Sequence, residues 1–441
     1  MKRIGKAAAV ILAAAVLCLF ATGCLSTTAD ELYRLPRTSE RNTRIQAKIE
    51  ELLNSGLEFS APVSGFNRQS IQQYDLDGDG NQEVIAFFRT EEEKPLEIDV
   101  MKEQDGSYVV VSQIFGEGRA VDSVAYSDMD GDGTAELLVG WQMSPSVKVL
   151  NIYSMIDFQA TAIAEASYFT YVSCDLNGTG GDELLLLREP GTENAGEAVL
   201  YTLMEDGEVI TSSAAMSIQA ESIGRVQTGG TSDSHAAVYV DSLCEGGLIT
   251  DVFAVRDGVL YNLMTADGGE NDTVRPYTVY YSDIDRDGVM EIPRPVPVYA
   301  QSETPYYTIC WTTRTVRGFS MDKLFTYHNY SDGWYLVLPE KIAERITIRR
   351  VDSISGERAV VLSILSGPES DPVITDILAV YTLTGENKGE RAVMNGRFLL
   401  VDDETKLFAA SILNGGEGVI TEEEIRGSFS LIRTRWLIGS Y

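Results

Sequence analysis

The sequence predicts an all-β protein, a β-propeller of seven four-stranded blades preceded by one short helix, and three observations predict it. An acidic, glycine-rich loop recurs about every fifty residues. Hairpins with Asp-Gly at their tips stand between the loops. The strands that leave the loops are apolar on both faces, so something must cover each side.

In chain order, the first 24 residues, "MKRIGKAAAVILAAAVLCLFATGC", open with Lys2, Arg3 and Lys6 and run through an apolar stretch from Ala7 to Ala21 to reach Cys24. Fifteen helical residues rise only about 22 Å, short of a hydrocarbon core of about 30 Å. The stretch therefore reads as a secretory signal rather than a permanent span. Ala21, Thr22 and Gly23 before Cys24 resemble the lipobox of bacterial lipoproteins, with Ala21 where that family usually has Leu. The resemblance implies that residues 1–23 are a signal peptide and that Cys24 becomes the lipidated first residue. Two acyl chains would then hold the protein stably on the extracytoplasmic face of a membrane, where one would not.

The other cysteines agree with that address. Cys18 leaves with the signal, and Cys174, Cys244 and Cys310 form an odd, widely spaced set that is no disulfide framework. They read as small buried hydrophobes. The formal charge of −31 becomes −34 once the signal's three cations are removed. Nucleic acid and anionic membrane surfaces are poor partners for such a chain, and divalent cations are its natural counter-charge. A monomer is expected.

Residues 24–42 are polar and aperiodic and read as a tether. In "TRIQAKIEELLNSG", residues 43–56, Ile45, Ile49, Leu52 and Leu53 fall at helical spacing before Gly56, which predicts one short amphipathic helix. From residue 57 to 441 the pattern is of short strands and turns.

Internal similarity sets the architecture. "YDLDGDGNQEVIAFF" recurs as "SDMDGDGTAELLVGW", "CDLNGTGGDELLLLR" and "SDIDRDGVMEIPRP". Their first aspartates, Asp75, Asp128, Asp175 and Asp283, are 53, 47 and 108 residues apart, so a degenerate copy fills the last gap at "VQTGGTSDSHAAVYV", residues 226–240. Two further units without the motif are expected near residues 352 and 402. Between units, "MKEQDGSYVVV", "YTLMEDGEVIT", "FAVRDGVLYNL" and "YHNYSDGWYLVL" carry the hairpin signal, because both central positions of that turn favour positive φ. The count is seven blades; six, or an eighth partial one, fit the same spacing. The lone strand "FSLIRTRW" is expected to pair with "LEFSAPV" and close the ring.

The loops are not helix-flanked sensor loops. Those need a bidentate glutamate at position twelve, which here is Ala86, Val139, Leu186 or Arg294, whereas position nine is Glu83, Glu136, Glu183 or Glu291. Ligands at positions one, three, five and nine, entered and left by strands, resemble the calcium loops of FG-GAP and VCBS-type repeats. The resemblance implies that Asp75, Asp77, Asp79 and Glu83 offer side-chain oxygens and Asn81 its carbonyl. It implies the same for Asp128, Asp130, Asp132 and Glu136 with Thr134, and for Asp283, Asp285, Asp287 and Glu291 with Val289. The third loop, Asp175, Asn177, Thr179 and Glu183, has fewer charges and would be weaker unless Asp182 turns inward. Oxygen-only ligands with room for about seven contacts favour Ca²⁺ over Mg²⁺, and about four calcium sites follow. Their expected role is to clamp the strands.

No catalytic constellation stands out. His235 lies in the degenerate loop and His328 in a hairpin, neither with partners at zinc spacing. "YSDGW" bears a faint resemblance to the aspartate box of sialidases, but its three sibling hairpins assign it to a turn. Tyrosines in "SYFTYVS", "RPYTVYYSD" and "TPYYTICW" either fill the core or present an aromatic surface. The expectation is a noncatalytic, membrane-anchored binding or adhesion module for protein or glycan. The alternative is an envelope hydrolase or lyase acting on glycans through the propeller funnel; fold alone does not choose.

Overall fold

The computed structural model describes residues 39–91, 93–191, 194–266, 268–276, 279–299, 306–368 and 372–432. The signal segment, Cys24 and the tether as far as residue 38 lie outside the described residues. The chain divides into two compact units: residues up to Leu57 with Lys102–Val109, and Glu58–Met101 with Val110 onward.

The first unit is built on helix α1, Glu40–Asn54. Ser39 caps it, its side chain accepting from the Asn42 amide, and Ile45 and Ile49 form the buried stripe that the spacing predicts. The helix begins three residues before the predicted start because Ser39 is the better cap, and Gly56 follows its end at φ +104°. Arg41 Nε donates to the Tyr108 hydroxyl at 3.0 Å, and Arg44 pairs with Glu103 at 2.9 Å, so the helix is tied to the hairpin tip.

The second unit is all-β, with six antiparallel sheets of four or five strands among the described residues. The first holds Glu58–Phe59, Ile71–Tyr74, Glu83–Arg89, Leu96–Gln104 and Ser107–Gly116, the hairpin end of the last two, Lys102–Val109, being counted with the first unit. The second, third and fourth are simple meanders over 120–167, 170–215 and 222–262. The fifth spans 292–338 and takes Phe429–Leu431 on its edge; the sixth spans 346–412. The Asp-Gly hairpins form as predicted: Asp105 and Gly106 have φ +50° and +79°, and Asp257 and Gly258 +52° and +76°. Among the described residues three further short helices join them: α2 (Glu340–Ala343), α3 (Lys388–Val393) and α4 (Glu422–Ser428). No helix among the described residues is long and apolar enough to cross a membrane.

The apolar exit strands are sandwiched as their composition requires. On Glu83–Arg89 the first six residues are buried. Ile85 and Phe87 share a core with Val121, Leu137 and Trp141 of the second sheet. Leu138 meets Leu184 and Leu186 of the third, and Leu185 and Leu187 meet Val238 and Val240 of the fourth. Tyr239 packs with Ile292, and Trp334 and Leu336 with Ile348 and Leu362. Alternate residues of one strand thus enter alternate cores, linking consecutive sheets face to face. Each fully buried apolar side chain contributes about 1.5–3 kcal/mol. The far face of the sixth sheet, Leu383, Leu407 and Ala409, is covered by Ala392 of α3.

Two expectations are corrected. The units near 352 and 402 are not separate blades: the first is the turn between Ile346–Ile354 and Glu357–Ser366, the second the turn between Phe398–Asp403 and Lys406–Ile412, and all four strands belong to the sixth sheet. Six sheets therefore replace the seven counted. The terminal strands also pair elsewhere than predicted. Phe429–Leu431 joins Trp334–Leu338, while Glu58–Phe59 joins Glu83–Arg89. A turn between two strands looks the same in sequence within a sheet and between sheets, which is why both errors arose.

Candidate metal centre

Each of the first three acidic loops joins two strands, the fourth leads from an isolated bridge at Ser282 into Ile292–Val298, and in all four the ninth residue pairs with the residue before the first. Tyr74 faces Glu83, Ser127 faces Glu136, Cys174 faces Glu183, and Ser282 bridges Glu291. The glutamate thus starts the exit strand in the first three loops, stands immediately before it in the fourth, and folds back. Its Oε2 accepts the amide of position two: Leu76 at 3.0 Å, and Met129, Leu176 and Ile284 at 2.9 Å. The first aspartate accepts the amide of position six: Gly80 at 2.9 Å, Gly133 and Gly288 at 3.0 Å, and Gly180 at 3.1 Å. In the first two loops position five accepts position seven, Asn81 at 2.7 Å and Thr134 at 2.6 Å, and Asp287 does the same for Val289 at 3.0 Å. Positions four and six turn at positive φ: Gly78 at +67° and Gly80 at +86° in the first loop.

Three of the four loops bring carboxylate oxygens within 4.8 Å of one another: Asp75, Asp77 and Glu83; Asp128, Asp130 and Asp132; and Asp283, Asp285 and Glu291. These clusters could hold a metal ion. The residues fit one, because Asp75 Oδ1 and Asp128 Oδ1 are each buried with no hydrogen-bond partner, a costly state that a coordinated cation relieves. Burial, followed by the charges of Asp130 and Asp132, pushes Glu136 up to about 7. Asp130 is raised too, by burial and by its aspartate neighbours. Both shifts mark a site short of positive charge.

The third and fourth loops differ. In the third, the Asn177 amide donates to Glu183 and the Asp175 carboxylate takes the amides of Gly178, Thr179 and Gly180, so the loop is satisfied internally. Asp182 does not turn inward; it accepts the Ser127 hydroxyl at 3.0 Å. In the fourth, Lys323 Nζ reaches Asp285 at 3.0 Å, Asp287 at 2.6 Å and Glu291 at 2.8 Å. Burial raises Glu291 and the lysine pulls it back, while Asp287 is lowered chiefly by that hydrogen bond. Of the four loops expected, with the third the weaker, three form acidic clusters among the described residues, and one of these already holds an ammonium.

The loops also lock together. Ala135 N donates to Leu76 O at 2.8 Å, Asp182 N to Asp128 O at 2.9 Å, and Met290 N to Gly230 O at 3.0 Å, so neighbouring loops stack. Sequence reasoning missed this row and Lys323, which lies 32 residues beyond Glu291 on Ser320–Asn329. It did place the degenerate copy, whose strands Ser222–Gly230 and Ala236–Cys244 pair as a hairpin. The tyrosine clusters it raised are divided: Tyr168 and Tyr281 are core, while Tyr171, Tyr280, Tyr306 and Tyr307 are half-buried. Tyr168 is buried with its hydroxyl on Asp122 at 2.7 Å, and Tyr281 and Trp311 are fully buried. Cys310 is buried, Cys174 and Cys244 half-buried, all three free thiols.

No family model and no curated protein matches the chain. Among solved structures it is similar to the rhamnogalacturonan lyase PL11 of Bacillus licheniformis, at 10% identity over 58% of this chain and 66% of that one, with a TM-score of 0.30. It is also similar to the exotype rhamnogalacturonan lyase YesX, at 11% identity over 71% and 73%, with a TM-score of 0.29. Overlaps of this size define no family.

Proposed function

We propose that the chain is a lipid-anchored, extracytoplasmic β-propeller of FG-GAP/VCBS-like repeats that calcium stabilises, acting as a noncatalytic binding or adhesion module for protein or glycan. The observation that carries the reading is the pair of buried, unpartnered oxygens, Asp75 Oδ1 and Asp128 Oδ1, in strand-flanked loops of adjacent sheets. Consecutive sheets stacked face to face through shared cores support the propeller. The basic and apolar start and Cys24 support the anchor.

Calcium goes first to the loops of Asp75 and Asp128. Asp75, Asp77 and Glu83 would hold one ion, and Asp128, Asp130 and Asp132 the other. The third loop is neutral where the others are charged, and Lys323 supplies the cation of the fourth. Bound only by the folded state, the ions stabilise it by mass action. Equilibrium dialysis of the mature chain against Ca²⁺ and Mg²⁺ tests the assignment. About two calcium ions per chain, displaced weakly by magnesium, are expected; no uptake, or preference for magnesium, contradicts it.

A further inference from the structure

A cleft of about 380 Å³ opens beside the first two acidic loops, lined by Asn67, Gln69, Gln72, Gln73, Tyr74 and Tyr126. Its size is at the lower end of the range for small-ligand sites. Tyr74 and Tyr126 stack with ring centroids 4.4 Å apart and planes 14° from parallel, which fixes both rings. Tyr74 remains 37% exposed. The Tyr126 hydroxyl donates to Gln72 Oε1 at 2.6 Å, and Gln72 Nε2 donates to the carbonyls of Asn67 and Gln69, each at 3.0 Å. Asn67 Nδ2 anchors the wall on Val124 O at 3.2 Å. Gln69 and Gln73 are exposed, and Phe66, three residues before Gln69, is 87% exposed on the same segment.

We propose that this cleft binds a neutral saccharide. None of its lining side chains is charged, in a chain with 66 acidic and 35 basic residues. Exposed amides offer donors and acceptors together, which match a ring of hydroxyls, and a tyrosine face backed by a second ring offers a rigid apolar platform for its C–H face. The acidic charge of the whole chain disfavours an anionic ligand. The inference rests on the reading of the chain as a calcium-stabilised binding module. Tyr74 directly precedes Asp75 and Tyr126 stands two residues before Asp128, so metal loading of those loops holds the platform in place.

The test uses the mature chain in calcium buffer against immobilised neutral oligosaccharides of glucose, xylose, mannose, galactose and N-acetylglucosamine, with oligogalacturonate as the charged control. Binding to at least one neutral probe is expected, weakened tenfold or more by Tyr74→Ala and by Gln73→Ala and retained by Tyr74→Phe. The exposed Gln73→Ala and the ring-preserving Tyr74→Phe keep the parent's melting temperature and calcium uptake, whereas Tyr74→Ala also loses the Tyr126 stack and melts lower. Binding to no neutral probe, binding to oligogalacturonate alone, or an affinity indifferent to both alanine variants overturns the inference. Calcium uptake by the same sample separates the two claims: uptake without saccharide binding sinks the cleft assignment alone, and absence of uptake sinks the calcium reading.

Discussion

Lys323 Nζ stands 2.8 Å from Glu291 Oε1 and 2.6 Å from Asp287 Oδ2, in the loop whose counterparts around Asp75 and Asp128 hold buried oxygens without partners. The fourth loop takes an ammonium of the same chain, and a calcium ion is proposed for the other two instead. Lys323→Met should therefore create a calcium requirement. The metal-free variant should melt lower than the parent, and calorimetric titration should show one additional calcium bound per chain, with the lost stability restored. An unchanged stoichiometry would mean that the lysine does not occupy a metal position.

The stacking of the loops makes a second prediction. A Cβ on Gly78 would lie 2.5 Å from Gly133 O of the next loop, and Gly78 has φ +67°. Strain at positive φ alone costs about 1–3 kcal/mol, and the clash adds to it. Gly78→Ala should lower stability by at least that amount in chemical denaturation and weaken calcium uptake by the neighbouring Asp128 loop, whereas Gly80→Ala, which meets nothing within 4 Å, should cost only the strain.

Asp241 and Arg275 are both fully buried and paired at 2.7 Å, the arginine also donating to the Val279 carbonyl. Removing one partner leaves a buried charge uncompensated. Asp241→Asn should destabilise by about 3–5 kcal/mol, and the double variant Asp241→Leu with Arg275→Met should recover part of that loss. Denaturant midpoints of the three proteins decide it.

Acid sensitivity should come in part from His328. The ring is buried between Tyr330 and Tyr335 with Nε2 2.9 Å from Thr326 Oγ1, and burial lowers its pKa to about 3. A base whose folded pKa is depressed binds its proton more readily when unfolded. Its contribution is therefore intact above the ordinary histidine value near 6.5 and is lost as pH falls toward 3, at up to about 1.4 kcal/mol per pH unit. His328→Phe should flatten that part of the stability profile relative to the parent; identical profiles would contradict the burial argument.

The strand-turn-strand loops, the Asp-Gly hairpins and the double-faced burial of "EVIAFF" and "ELLVGW" were legible because each rests on neighbours in sequence. Asp105 and Gly106 need only each other to turn a hairpin. Sheet membership was not: Phe429 meets Leu336 across more than ninety residues, and nothing near "FSL" encodes that choice. The site divided the same way. Spacing exposed the aspartates, but Lys323 comes from a strand that only the fold brings to its loop, and only the fold stacks Tyr74, beside the first loop in sequence, on Tyr126, beside the second. The charge count did mark the third loop as the weaker one; that the Asn177 amide satisfies Glu183 there came only with the fold.

The central claim is that the loops of Asp75 and Asp128 hold calcium and that the fold depends on it. Thermal melting of the mature chain in calcium and in excess chelator, beside the double variant Asp75→Asn with Asp128→Asn, tests it most directly. The account predicts a melting point lowered by several degrees in chelator, corresponding to roughly 2–4 kcal/mol of linked binding, and a double variant whose melting point no longer responds to calcium. A parent protein that melts at the same temperature with and without chelator would contradict it.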